Sequence, residues 1–313
     1  MSTEHFCTLF DSKFLPAGLC LHESLLSLGE PFHLWILCMD ESVERQLSAL
    51  QLAHVSLIPL SSIESNALLA VKPGRSRAEY CWTLTPFLPS FVMGRDDRIG
   101  RITYLDADLY FFSSPSRLLR ELETSRAYVL ITEHAYAPQY DQTESAGRFC
   151  VQFVTFRRSA EAQSVLQWWQ DRCIEWCFAR HEDGKFGDQK YLDQWPSLFG
   201  NKVHVLEGRS LALAPWNAEF FLEQEPARFL PVFYHFHGLR MISPNSVRLF
   251  TGYQVGGKAM AIYKVYVGAL GRAKGRLPEM PFFPENLGWR ERARAWLRAL
   301  RGRTRIARIP PGV

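Results

Sequence analysis

The chain has no C-x-x-C pair. Its seven cysteines, at 7, 20, 38, 81, 150, 173 and 177, are odd in number and mostly sit inside apolar runs. That excludes a disulfide framework and a redox or zinc-finger centre, and reads them as reduced core residues. Cys173 and Cys177 stand one helical turn apart, but Trp168, Trp169, Ile174 and Trp176 around them mark a packed apolar face. Long hydrophobic runs are also missing. The uncharged stretch 80–94 is among the longest, at 15 residues with Pro86 and Pro89 inside it, short of the roughly 18 to 20 needed to span a bilayer. Met1-Ser2-Thr3-Glu4-His5 offers neither a basic n-region nor an apolar h-region, so no secretory signal is expected and a cytoplasmic location is the default. No repeat or low-complexity tract is present.

What is there suits one large domain or two small ones. The 313 residues are 47% hydrophobic and only 22% charged, which supplies a core and excludes disorder over the whole chain. The net charge of +4 is unevenly placed. From residue 285 onward there are eight arginines (290, 292, 294, 298, 301, 303, 305 and 308) against Glu285 and Glu291. The rest is slightly acidic, so nucleic acid is not an expected partner and would meet only the tail.

Apolar runs at 5–10, 32–39, 55–60, 101–105, 128–132, 149–156, 203–206 and 231–235 read as strands, and helical patterns fall between many of them. This alternation from the first residues onward predicts a parallel α/β sheet. A helical pattern over 80–93 should kink or break at its prolines. Residues 133–148 have no period and read as a loop, and 160–180 as a long helix with an aromatic stripe. A domain over 1–267 is expected, then a linker or surface-wrapping segment over 268–288. Over 289–313 Trp289, Ala293, Trp296, Leu297 and Leu300 suggest a basic amphipathic helix and tail.

The most informative stretch is Tyr104-Leu105-Asp106-Ala107-Asp108-Leu109-Tyr110-Phe111-Phe112. Two carboxylates two apart at the end of an apolar strand are costly to bury without a cation. Ligands in open α/β sheets bind at the carboxyl ends of strands, and oxygen donors favour magnesium or manganese, often shared with a diphosphate. A solvated turn is the other reading of a bare D-x-D.

With Asp11 ending the first strand and His-Phe-His-Gly at 235–238, the D-x-D phrase resembles the glycosyltransferases of the GT-A fold. The resemblance is greatest to glycosyltransferase family eight and related bacterial sugar transferases of lipopolysaccharide and capsule synthesis. It spans roughly residues 5–240, with the motifs in family order. It implies a mixed, mostly parallel α/β sheet flanked by helices, and a metal-dependent transfer from a nucleotide sugar, UDP-linked, with retention of configuration. The acceptor would be a saccharide or lipid-linked. Asp11 would contact the uracil and Phe14 would stack on it. Asp106 and Asp108 would hold manganese, with His235 as third ligand, Gly238 closing that motif and His237 the alternative one register away. Asp188 and Gln189 match a D-Q element facing the transferred sugar, and Trp216 and Asn217 a W-N element on the acceptor side.

Three positions depart from the family pattern. Trp82 stands where an Arg is usual, leaving Arg75 or Arg77 to supply that contact. Cys150-Val151-Gln152 replaces an N-x-G, with Gln152 able to serve as the amide. Met241 replaces a Lys, with Arg240 the nearest cation. The basic tail suits an inner-leaflet surface; docking on its own domain is the alternative. Two other functions stay open: a phosphatase of the haloacid-dehalogenase kind using the D-x-D, and a catalytically silent nucleotide-sugar-binding protein, suggested by Trp82 and Cys150.

Overall fold

The computed structural model describes residues 3–226, 228–277, 294, 297–299 and 301–311. A seven-stranded sheet forms the centre, in the order β3-β2-β1-β4-β7-β6-β8. Its strands are β1 (Glu4–Phe10), β2 (Phe32–Cys38), β3 (Val55–Pro59), β4 (Arg101–Leu105), β6 (Val129–Glu133), β7 (Phe149–Arg157) and β8 (Val203–Val205), with a short strand, β5 (Leu109–Phe111), lying outside this sheet. All pairings are parallel except those of β7 with β4 and with β6. The sheet carries helices on both faces, so its strands are apolar on both sides. Phe6 and Phe10 pack with Leu34, Ile36, Leu105 and Phe153 on one face, while Cys7 and Leu9 pack with Leu37, Ile102, Tyr104 and Val154 on the other.

Two smaller sheets complete the fold. One has the order β5-β10-β9, where β9 is Ala212–Leu213 and β10 is Phe233–His235. The other joins β11 (Arg240–Ser243), β12 (Ser246–Thr251) and β13 (Thr304–Arg308) in antiparallel register. The eight strand runs expected from sequence all appear; the missed strands have two to six residues, too short for a periodic signal. The pattern over 80–93 is broken at Pro86, into helices Arg77–Leu84 and Phe87–Met93, while Pro89 falls in the first turn of the second, where no intrahelical donor is lost. Ser76 and Glu79 form a capping box that fixes the start of the first.

The segment expected to be a linker is helical through its first part. Helix Gly257–Arg276 packs against helix Leu15–Ser27, with Arg272 Nη2 2.6 Å from Glu23. The glycines, prolines and basic residues of 268–288 show no core pattern and read as a linker or surface-wrapping segment. In fact a Cβ at Gly271 would come within 2.8 Å of Pro310 Cγ, so this glycine lets the chain's last described stretch cross the helix. Residues 278–288 lie outside the described residues, as do Trp289, Ala293, Trp296 and Leu300. Leu297–Ala299 are helical, but 304–308 form β13 rather than a free tail, because Ala307 and Ile309 pack into the core.

Candidate functional site

The parallel pairing of β1 and β4 brings Asp11 and Asp106, each one residue past its strand, to the same edge of the sheet. Asp106 N–H donates to Gln152 O (3.1 Å), and Leu109 N–H turns back to Asp106 O (3.2 Å). The chain then enters β5, where Leu109 pairs antiparallel with His235 and Phe236 N–H donates to Asp108 O (2.9 Å). Topology thus carries a histidine distant in sequence onto the D-x-D.

One ligand atom each from Asp106, Asp108 and His235 lie within 4.8 Å of one another. His235 Nε2 is 3.1 Å from Asp108 Oδ1 and 3.8 Å from Asp106 Oδ2. On its other side, His235 Nδ1 is 2.8 Å from Gln152 Oε1. An amide oxygen only accepts, so Nδ1 carries a proton. Nε2 faces the carboxylates and, with Asp108 raising the His235 pKa against the effect of burial, donates to Asp108 here, a proton it would release to offer its lone pair to a metal. Burial works to raise both carboxyls. It prevails at Asp106, which also feels the charge of Asp108, while the charge and hydrogen bond of His235 hold Asp108 below its usual range. Two hard carboxylates and one oriented imidazole sharing one point fit a manganese or magnesium ion. His237 lines the same cleft, its ring 5.6 Å from that of His235, but lies outside this ligand group.

The three ligands stand in a cleft of about 610 Å³, within the usual size for small-molecule sites. At one part of its wall, Arg77 Nε pairs with Asp11 (3.1 Å) and its Nη2 with Asp40 (2.7 Å), while Asp11 caps Lys13 N (3.0 Å). The Arg240 guanidinium lies 5.1 Å from the Phe14 ring centre. Of the two arginines that could replace the one missing at Trp82, only Arg77 lines the cleft. Arg75 is spent on the carbonyls of Cys173 and Ile174 (both 3.0 Å) and Cys177. Trp82 packs under Gly187, whose φ of +54° turns the chain into Asp188.

Asp188 is 5% exposed, its carbonyl accepting from Trp169 Nε1 (2.9 Å). Burial, with the charge of Asp106 added, pushes its carboxyl up to about 7. Gln189 lines the cleft and donates to Ala146 O (2.8 Å). Trp216 meets the rings of His235 (5.5 Å) and His237 (5.4 Å) edge-on. Three of the anticipated residues stand behind the cleft wall. Gln152 orients His235. Asn217, 1% exposed, accepts from Ala214 N (2.8 Å) and donates to His134 O (2.9 Å), which holds the loop carrying Trp216. Gly238, at φ +76°, makes the turn after β10. Sequence reasoning missed Tyr136, His181, Phe186 and Tyr253 on the wall. The only available signal was the concentration of aromatics in stretches without a period.

No family model matches the chain. Among curated proteins, it is 32% identical to the uncharacterized protein YfnD of Bacillus subtilis (strain 168), over 85% of this chain and 88% of that one. It is 29% identical to the uncharacterized YfnF of the same organism, over 79% and 85%. Among solved structures, the bifunctional glycosyltransferase WbbM matches with a TM-score of 0.55 at 12% identity, over 88% of this chain and 50% of that one. The galactosyltransferase LgtC, solved with donor and acceptor sugar analogues, matches at 0.52 and 14%, over 88% and 97%. Mouse xyloside xylosyltransferase 1 matches at 0.50 and 16%, over 75% and 98%. The fold is therefore GT-A, a mixed, mainly parallel sheet flanked by helices, and not that of a haloacid dehalogenase. With nearly a third of its residues identical over most of both lengths, the chain belongs to the same protein family as YfnD of Bacillus subtilis.

Proposed function

We propose that the protein is a divalent-metal-dependent glycosyltransferase, resembling family eight, that moves a hexose from a UDP-linked donor to a saccharide or lipid-linked acceptor in cell-surface polysaccharide synthesis, with retention of configuration. The observation that carries this is the convergence of the Asp106, Asp108 and His235 ligand set, the Asp11–Arg77 pair and buried Asp188 in one cleft. UDP leaves readily once its charge is met, so the site needs placement and electrostatics more than covalent machinery. A bound manganese or magnesium ion would supply the main counter-charge to the departing diphosphate.

Asp11 and Phe14 hold the base, with Arg77 fixing the Asp11 carboxylate and Arg240 bringing positive charge over Phe14. Asp188 and Gln189 face the transferred sugar. With a carboxyl held near neutrality, Asp188 can carry or accept a proton at the acceptor hydroxyl. Trp216, Tyr136 and Tyr253 wall the acceptor side against water, which would otherwise hydrolyse the donor. The exposed arginines 298, 301, 303, 305 and 308 have no ion-pair partner among the described residues, and this charge suits contact with an anionic inner leaflet.

The test is calorimetric titration of UDP into metal-stripped protein, with and without manganese, beside the Asp106→Ala/Asp108→Ala variant. Binding that needs both the metal and the carboxylates supports the assignment; a folded wild type that binds no UDP overturns it. UDP binding without donor hydrolysis or transfer would mark a silent binding protein instead.

A further inference from the structure

A second recess, of about 280 Å³, opens beside the main cleft and shares Tyr136 with it. It is organised around Glu133, the last residue of β6, whose side chain is only 6% exposed. One carboxylate oxygen accepts from Arg148 Nε at 2.6 Å and the other from Arg209 Nε at 2.7 Å, yet both arginine side chains remain more than half exposed. Arg148 is pinned further by the Phe149 ring, 5.1 Å away. Arg209 commits only its Nε among the described contacts, leaving its terminal nitrogens available to a ligand. Tyr136 is stacked on His134 with centroids 4.7 Å apart and planes at 9°, and tilted against Trp216 at 6.0 Å, which fixes the ring while leaving it partly exposed at the recess. Between them Ala135 adopts φ +48°, a strained conformation for alanine that the surrounding structure must sustain.

The charge of the lining decides what fits. Asp141 and Thr143 complete the recess, so two guanidiniums face two carboxylates and the whole is neutral. A phosphate or uronate gains little there. A polyol gains more, because fixed donors and acceptors stand side by side for vicinal hydroxyls and an aromatic ring is available for a C–H face. The arginines are held before any ligand arrives, so little ordering cost remains.

We infer that this recess is a second sugar subsite, which takes the next pyranose of an uncharged oligosaccharide acceptor. The inference rests on the glycosyltransferase reading for the word acceptor, while the recess is tested without it. A panel of immobilised neutral mono-, di- and trisaccharides, with phosphate- and uronate-bearing ones beside them, is probed with fluorescently labelled protein in UDP and manganese. UDP affinity is measured separately by calorimetry. Wild type is compared with Arg209→Ala, which removes one guanidinium lining the recess, and Thr143→Tyr, which fills the recess and leaves the Glu133 network intact.

The expected result is retention about tenfold or more stronger on a disaccharide than on its terminal monosaccharide. Both variants should lose that gain and keep UDP affinity to within about twofold. Equal retention of mono- and disaccharides, unchanged retention by both variants, a preference for the acidic glycans, or no retained glycan each overturns the subsite. Absent UDP binding overturns the glycosyltransferase reading alone, since the length dependence still judges the recess.

Discussion

Replacing Gln152 by leucine separates a metal site from a chance cluster of charges. Gln152 is 1% exposed and its Oε1 accepts from His235 Nδ1 at 2.8 Å. Leucine fills a similar volume but accepts nothing, so a buried N–H would be left unpaired at a cost of about 1–3 kcal/mol. The imidazole escapes that cost by giving up the Nδ1 proton and keeping the one that Nε2 donates to Asp108 Oδ1, 3.1 Å away. That proton sits on the atom needed for a cation, while the edge-on Trp216 ring at 5.5 Å still holds the imidazole in place. Loss of such an outer partner typically weakens metal binding about tenfold to a hundredfold, roughly 1.4–2.7 kcal/mol. Gln152→Glu keeps an acceptor on Nδ1 and should bind manganese as well as wild type or better. The assay is manganese titration followed by the electron spin resonance of the free ion, with the thermal midpoint as a check on folding. Wild-type affinity in Gln152→Leu, or equal weakening in both variants, refutes the argument that the tautomer of His235 is set for a metal.

Other expectations follow from the same geometry. Asp108→Asn should abolish metal-dependent UDP binding, whereas His237→Ala, outside the ligand group, should be milder; equal effects in calorimetry would show that the two histidines share the role. Arg77→Ala removes the cation held by both Asp11 and Asp40 and should weaken UDP about tenfold, a charge-assisted hydrogen bond being worth about 1.5–3 kcal/mol, with manganese binding unchanged. Asp188 is raised to about 7 in the fold from 3.8, so between those values the native state binds more protons than the unfolded one. Metal-free protein should therefore lose stability as pH rises, by up to about 4 kcal/mol in full. Asp188→Asn should flatten the denaturation profile above pH 4, and an unchanged profile would show that the carboxyl is not shifted. Gly187→Ala forces a Cβ to φ +54° and to 3.3 Å from Trp82, at about 1–2 kcal/mol, and should cost more activity than stability by misplacing Asp188; a kcat at the wild-type level argues against that placement.

Legibility in the sequence followed how much neighbouring residues constrain one another. The D-x-D was visible because an apolar strand runs straight into it, and His235 because His-Phe-His-Gly closes a strand. Which histidine meets the aspartates was not visible, since it depends on the register of β10 on β5, and β5 is three residues long. Arg75 and Arg77 were equivalent in sequence; the capping box at Ser76 begins the helix between them and sends one to carbonyls and the other to Asp11. Gln152 and Asn217 were read as touching substrate, because an amide in a motif looks the same whether it faces a ligand or braces the residue that does. The helix through 268–276 was hidden for a related reason: a glycine such as Gly271 suits a linker or a close crossing, and only Pro310 decides between them.

The proposed ligands straddle a boundary in the fold. Asp106 and Asp108 lie between the main sheet and β5, while His235 belongs to β10 in the small sheet. A cation gripped by all three would close a long loop of chain in the manner of a crosslink, opposing any fluctuation that lifts β10 from β5. Manganese alone, without nucleotide, should therefore slow amide hydrogen exchange at Tyr234, Phe236 and Leu109, and leave β2 and β3 exchanging as before.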